Sequence, residues 1–300
     1  MRDIDSVDRT QLERAAVARP PVERTVAERT AERRLDVTRA SDPRPDLSPE
    51  SRAIRGRTYA YCVSPADLET MRDIGRFRTV AIEDLARIRY AGDPERMRQD
   101  LRALADQGLI QCRTAWTRAN RERLVVVVLT RRGKEALERE FGNASSQKIF
   151  AGFVKPAEVA HDAAIYRMYQ AESERIAAAG SRVRRVVLDY ELKQKVYSPL
   201  AKARRLGAEE YARRQAEIAR ANGLSVVQGK IPLPDLRIEY ETPGGELAFV
   251  DLELATHHYH GSHMQVKAEA GFKMYAPADS VGRLNAVLEE REITAGILSL

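Results

Sequence analysis

Asp235, Asp251 and Glu253 are the side chains whose types and spacing most clearly suggest chemistry in this 300-residue chain. Residues 234–240 (PDLRIEY) and 249–255 (FVDLELA) are rich in β-branched and aromatic residues, and Thr242, Pro243, Gly244 and Gly245 lie between them. That pattern predicts two short strands joined by a turn. Side chains alternate along a strand, so Phe249, Asp251, Glu253 and Ala255 share one face, and Val250, Leu252 and Leu254 the other. Two acids on a surface otherwise suited to burial are costly unless something offsets their charge. A hard divalent cation is the usual answer, and Asp235, at the mouth of the neighbouring strand, is the third ligand of such a set. A metal held there, Mg²⁺ or Mn²⁺, would act as a Lewis acid and activate a bound water. A lysine would be wanted near that water to stabilise the developing charge.

Pro-Asp at a strand start, a turn, and a strand with spaced acids resemble the PD-(D/E)XK restriction-endonuclease-like fold. The closer resemblance is to the replication-relaxation family of plasmids and integrative elements, in which a winged helix precedes such a domain. Asp251-Leu252-Glu253 matches that family's acid-x-acid, so Glu253 fills the place where a nuclease carries lysine. Lys273, two residues before Tyr275 in a stretch read as helical from residue 265, matches the family's Lys-x-Tyr and is the substitute the resemblance offers; Lys267 lies on the same stretch. Glu191 matches an acid near the pocket, and His161-Asp162 matches a histidine that follows the winged helix. The site set implied is therefore Asp235, Asp251, Glu253, Lys273 and Glu191, with Asp235, Asp251 and Glu253 as metal ligands. His161 by itself reads more readily as a capping or packing residue than as a ligand.

The elements that must position these residues fall into an α+β pattern. Residues 1–56 carry isolated apolar residues among Arg, Glu, Asp, Pro and Thr, and read as a disordered tail. Residues 57–142 form the clearest module. Ser64-Pro65-Ala66-Asp67 is a helix start with a capping residue, a proline at the first position and an acid at the third. A short second helix is expected over 79–88. Asp93-Pro94 starts a third, with Met97, Leu101 and Leu104 inward and Gly108 closing it in the left-handed conformation. A strand at 109–112, a polar tip at 118–123 and an apolar strand at 124–129 follow, and Thr130-x-x-Gly133 opens a closing helix. Three helices, a hairpin and a closing helix predict a winged helix-turn-helix, in an order similar to the MarR-type and replication-relaxation versions.

The chemistry expected of that module is DNA reading. The outer face of the 94–107 helix offers Arg96, Arg98, Gln99 and Arg102 for the major groove, where Arg suits guanine and Gln adenine. The hairpin tip offers Arg118, Arg121 and Arg123 for phosphates or the minor groove. Trp116, the sole tryptophan, is expected to pack in the hairpin rather than wedge between bases.

Residues 157–300 are expected to form the restriction-endonuclease-like mixed-sheet domain. It begins with a long helix from 159 to 179 and ends with a helix at 278–290 and an edge strand at 293–300. Four of the five histidines fall in 257–263, which reads as a polar loop touching phosphate more readily than as a zinc site, since no Cys accompanies them.

Composition narrows the classes. Lys and Arg number 50 against 44 Asp and Glu, for a net charge of +6, and the charge is mixed rather than blocked. That favours a polyanionic partner only mildly. Cys62 and Cys112 show no pairing pattern, which points to a reducing compartment. No apolar run is long enough for a membrane span and no leader is evident, so a cytoplasmic protein is expected. The resulting expectation is a protein that binds double-stranded DNA in plasmid or mobile-element replication, mobilisation or their control. The alternatives are a metal-dependent nuclease or nickase, and a transcriptional regulator with a non-catalytic C-terminal dimerisation or partner-binding domain. A second copy of the chain and replication or mobilisation proteins are candidate partners.

Overall fold

In the computed structural model, residues 50–56, 59–116, 122–142, 146–205, 207–256, 259, 261–290, 293 and 295–300 are described. The order is β1 (Arg52–Arg55), β2 (Ala60–Val63), α1 (Pro65–Arg76), β3 (Val80–Ala81), α2 (Ile82–Arg89), α3 (Pro94–Asp106), β4 (Ile110–Trp116), β5 (Arg123–Leu129) and α4 (Arg131–Phe141). It continues with α5 (Val159–Ala178), β6 (Arg182–Leu188), α6 (Asp189–Ala203), α7 (Ala208–Ala221), β7 (Leu236–Glu241), β8 (Leu247–Leu254), α8 (Gly261–Glu269), β9 (Lys273–Ala276), α9 (Ala278–Glu290) and β10 (Ile297–Ser299). The fold is mixed α+β. Three boundaries differ from the sequence expectation. Residues 52–55 form a strand paired with β2, so the segment read as tail reaches into the fold. The helix expected from 79 is preceded by the two-residue strand β3, which pairs with β5. The stretch 265–275, read as one helix, is broken by Gly271 at φ 82° and continues as strand β9.

The first half is built on local signals that work as read. Ser64 and Asp67 exchange their side-chain and backbone hydrogen bonds as a capping box at the start of α1. Asp93 caps α3 by accepting from the N–H groups of Glu95 and Arg96, and Met97, Leu101 and Leu104 are buried. Gly108 takes φ 70° after α3, and β4 and β5 then pair antiparallel from Ile110↔Leu129 out to Trp116↔Arg123. Thr130 caps α4 and its hydroxyl also donates to the Gly108 carbonyl at 2.6 Å. Gly133 is demanded by a close approach, since a Cβ there would lie 2.0 Å from the Leu109 carbonyl oxygen.

The second half is a five-stranded sheet in the order β10-β9-β8-β7-β6. β7 pairs antiparallel with both β6 and β8, whereas β9 runs parallel to β8 and β10 parallel to β9. One face carries Val186, Leu188, Leu236, Ile238, Leu252, Leu254 and Tyr275 against α5. The other carries Val187 under α6 and α7, and Met274, Ala276 and Ile297 beneath α8 and α9.

The two halves do not face each other across a free link. Phe77 beside the end of α1 packs on Tyr166 and Tyr169 of α5, with ring centroids 5.2 and 4.9 Å away, so one apolar core runs through both. The intervening segment is stitched to each side. Phe150 N–H donates to the Gly75 carbonyl and Gly152 N–H to that of Leu129. The buried Gln147 amide exchanges hydrogen bonds with both backbone groups of Val186 on β6, at 2.8 and 3.0 Å.

Candidate functional site

The edge where β6 and β8 end and β7 begins gathers the first set of candidate groups. Asp235 precedes β7, and its carboxylate accepts from the Leu254 N–H at 2.9 Å as β8 finishes. Its own carbonyl accepts from the Asp189 N–H at the start of α6. From the first turn of α5, His161 Nε2 lies 3.4 Å from Asp235 Oδ2, while its Nδ1 lies 3.6 Å from Asp162. Burial works to lower the imidazolium, but the two carboxylates outweigh it and push His161 up to about 10. The same pairing overcomes the burial of Asp235 and holds it below its usual range. Asp162 in turn meets Arg78 at 3.3 Å, so a file of alternating charges runs from the turn after α1 through α5 to the sheet. Arg78 holds φ 62°, in the left-handed region that ordinary residues seldom occupy.

Glu253 stands next along the same edge. Its side chain is 1% exposed, and Oε1 receives the Lys267 ammonium at 2.7 Å and the Tyr259 hydroxyl. Lys267 also donates to the Leu233 carbonyl. Burial, reinforced by the nearby Asp235 charge, pushes the Glu253 carboxyl up to about 7 against the opposing pull of Lys267 and Tyr259. Glu253 Oε2 has no hydrogen-bond partner among the described residues.

Asp251 does not join them as a ligand. Arg237, its cross-strand partner on β7, grips it bidentately, Nε to Oδ1 at 2.6 Å and Nη2 to Oδ2 at 2.7 Å. Arg237 further donates to the carbonyls of Asn222 and Gly223 and stacks over Phe249 at 4.0 Å. The cations beside the buried acids, where a metal was expected from sequence, are Arg237, Lys267 and His161. Among the described residues no set of three or more His, Cys, Asp or Glu side chains could hold a metal ion. With both Asp251 oxygens on Arg237, and Glu253 Oε1 on Lys267 and Tyr259, Asp235, Asp251 and Glu253 do not converge as a three-carboxylate donor set in this arrangement.

Two further expectations are corrected. Lys273 pairs in register with Leu252, which places it on the α5 face of the sheet, opposite Glu253. There it meets Glu172 at 2.7 Å, which also accepts from the Tyr275 hydroxyl. The lysine that reaches the acids is Lys267, a position the sequence offered on the same stretch. Glu191 is buried against Arg185 at 2.7 Å instead of edging the pocket. Asp189 takes that place: it lines a cleft of about 540 Å³ together with Arg78, Lys155, His161, Lys193 and Asp235. Lys193 is paired to Asp189 at 2.5 Å and Arg78 to Asp162, and Glu158 and Asp235 stand beside Lys155 and His161 in the lining, so the cleft presents no one-sided field to an anion. Sequence reading missed Arg237, whose one signal was its being the lone cation in the PDLRIEY stretch; the register that sets it opposite Asp251, and the Glu172–Lys273–Tyr275 group, had no local signal.

The second set lies on α3 and the hairpin. Arg96, Arg98, Gln99 and Arg102 are all exposed, on the side away from Met97, Leu101 and Leu104. Arg98 pairs with Glu95, while Arg96 and Arg102 have no ion pair among the described residues. Arg123 is exposed at the root of the hairpin tip. Arg118 and Arg121 lie outside the described residues, as do His257, His258 and His260; the remaining histidine of that run, His263, is exposed in α8. Trp116 does not pack in the hairpin as expected: it is 66% exposed, because the strand pair has outrun the helices that bury Ile110 and Leu129 at its base.

No helix among the described residues is long and apolar enough to cross a membrane. No family model, no curated protein and no solved structure matches the chain.

Proposed function

We propose that the chain binds double-stranded DNA through a winged helix-turn-helix formed by α1 to α4 and the β4–β5 hairpin, in plasmid or mobile-element replication, mobilisation or their control. The observation that carries this reading is the outer face of α3, where Arg96, Arg98, Gln99 and Arg102 stand exposed over a buried Met97, Leu101 and Leu104. A capped, amphipathic helix with an arginine face and a projecting hairpin has the form that enters a major groove while its wing meets the flanking backbone. Arginine without an internal carboxylate is free to exchange its hydration for phosphate or guanine.

In the same reading the five-stranded half is restriction-endonuclease-like in descent and serves as a platform for DNA or partner proteins. The support is the Arg237–Asp251 fork: a carboxylate that has both oxygens on a guanidinium is not available to a metal.

Binding is tested by titrating labelled duplex at several salt concentrations. Each phosphate contact contributes about 0.9 to the slope of log affinity against log salt. Replacing Arg98 and Arg102 by Ala is expected to weaken binding and to flatten that slope. Unchanged affinity in the double variant would assign α3 to protein contacts instead. The platform reading is tested by incubating supercoiled plasmid with the protein and Mg²⁺ or Mn²⁺. Nicking that disappears in Asp235→Asn would restore the nuclease alternative.

A further inference from the structure

The hairpin tip holds the one aromatic that the DNA-binding surface does not yet use. Side chains alternate along β4, so Ile110, Thr114 and Trp116 share a face, and Arg113 and Ala115 take the other. Ile110 is buried in the apolar core to which Met71 of α1, Leu104 of α3 and Leu129 of β5 also belong, so the first face is the one turned to the helices. On the second face Arg113 lies over the Phe153 ring at 4.0 Å, and Ala115 packs on the segment after α4. Trp116 thus continues the helix-facing side, six residues beyond Ile110, or roughly 20 Å at the rise of a strand. Arg123, its cross-strand partner, is exposed beside it and has no ion pair among the described residues.

The surroundings select the occupant. Cys112, Thr114 and Arg123 are exposed on that face and Val125 is half-buried there; among the described residues no second large apolar side chain near the tip is exposed. A lone indole in a polar, cationic strip buries too little apolar area to seat a protein partner. It does suit a nucleobase, which offers a flat π-face beside a phosphate for the guanidinium. Bases in closed duplex present edges rather than faces, and exposing a face costs pairing and stacking unless the base is already unpaired.

We propose that Trp116 stacks on an unpaired base, with Arg123 on the adjoining phosphate, so that the chain holds duplex next to an opened stretch more tightly than uninterrupted duplex. This rests on the DNA-binding reading above.

Trp116 is the only tryptophan, so its emission reports the contact directly. The full chain is titrated with a closed duplex and with the same duplex carrying a central unpaired bubble. Tighter binding and quenched emission are expected on the bubble. Trp116→Ala is expected to lower bubble affinity about tenfold while leaving closed-duplex affinity unchanged, and Trp116→Phe to retain most of it. Binding to the bubble with unquenched emission, or an unaltered bubble preference in Trp116→Ala, overturns the assignment of Trp116 and leaves the DNA-binding reading standing. Failure to bind either DNA overturns both.

Discussion

The outer face of α3 and the acidic edge of the sheet both concentrate charge, yet they dispose of it in opposite ways. On α3, arginines project into solvent, and only Arg98 leans on a neighbouring acid. At the sheet edge each acid is matched within the fold: Asp251 by Arg237, Glu253 by Lys267 and Tyr259, Asp235 by His161 and a backbone N–H. Charge left in water costs the fold little and stays available to a partner. Charge taken out of water must be compensated where it stands, and a compensated group has little left to offer a ligand. The contrast therefore separates a surface suited to binding from a cluster whose first duty is to hold the sheet, although both were singled out by the same residue types.

The largest effect expected from this contrast is at Arg237. Arg237→Leu leaves Asp251 buried and uncompensated, and should lower unfolding free energy in a denaturant titration by about 3–5 kcal/mol. Arg237→Leu combined with Asp251→Leu should recover most of the loss. A single variant as stable as the parent would mean that Asp251 has another cation, and the comparison would break at its firmest point.

A smaller, pH-graded loss is expected from Lys267→Met. Removing the ammonium lets the Glu253 carboxyl climb further above about 7. An acid raised in the folded state keeps its proton there while the unfolded chain has lost it. Stability then falls as pH rises from the ordinary glutamate range to the folded value; parent and variant share that loss up to about 7, and the deficit of the variant should widen above it. A deficit that is flat with pH would assign the loss to packing of the lysine stem.

His161→Gln addresses the other cation. The imidazolium is favoured in the fold, so its contribution is complete below about 6.5 and disappears as pH rises through about 10. The parent should lose stability over that interval and the variant should lose less. The difference will be modest, because the side chain is 39% exposed and solvent screens it. The smallest effect is reserved for α3, where Arg98→Ala with Arg102→Ala should shift stability by no more than about 0.5 kcal/mol, as substitutions of unburied surface groups do. A larger drop would show that these arginines serve the fold and would sharpen doubt about a binding role.

The parts of the molecule that could be read in advance are those written within a few residues of one another. Ser64 with Asp67, Asp93 with Pro94, Gly108, and Thr130 with Gly133 set helix ends by local geometry, and the apolar spacing of Met97, Leu101 and Leu104 decided which side of α3 faces water. The strand pair that carries Asp235, Asp251 and Glu253 was legible for the same reason, since alternation fixes which side chains share a face. What surrounds those acids was not. Arg237 meets Asp251 through the cross-strand register, Lys267 reaches Glu253 from a helix that Gly271 ends, and Lys273 is turned to Glu172 by its pairing with Leu252. Each depends on which residues stand opposite one another after the chain returns, and a shift of one residue in any of these pairings would exchange the faces. Sequence thus determined the elements, the exposed arginine face and the presence of buried acids in need of cations. Tertiary structure alone decided that the cations would be the chain's own, because a long-range pairing of charges has no local pattern to announce it.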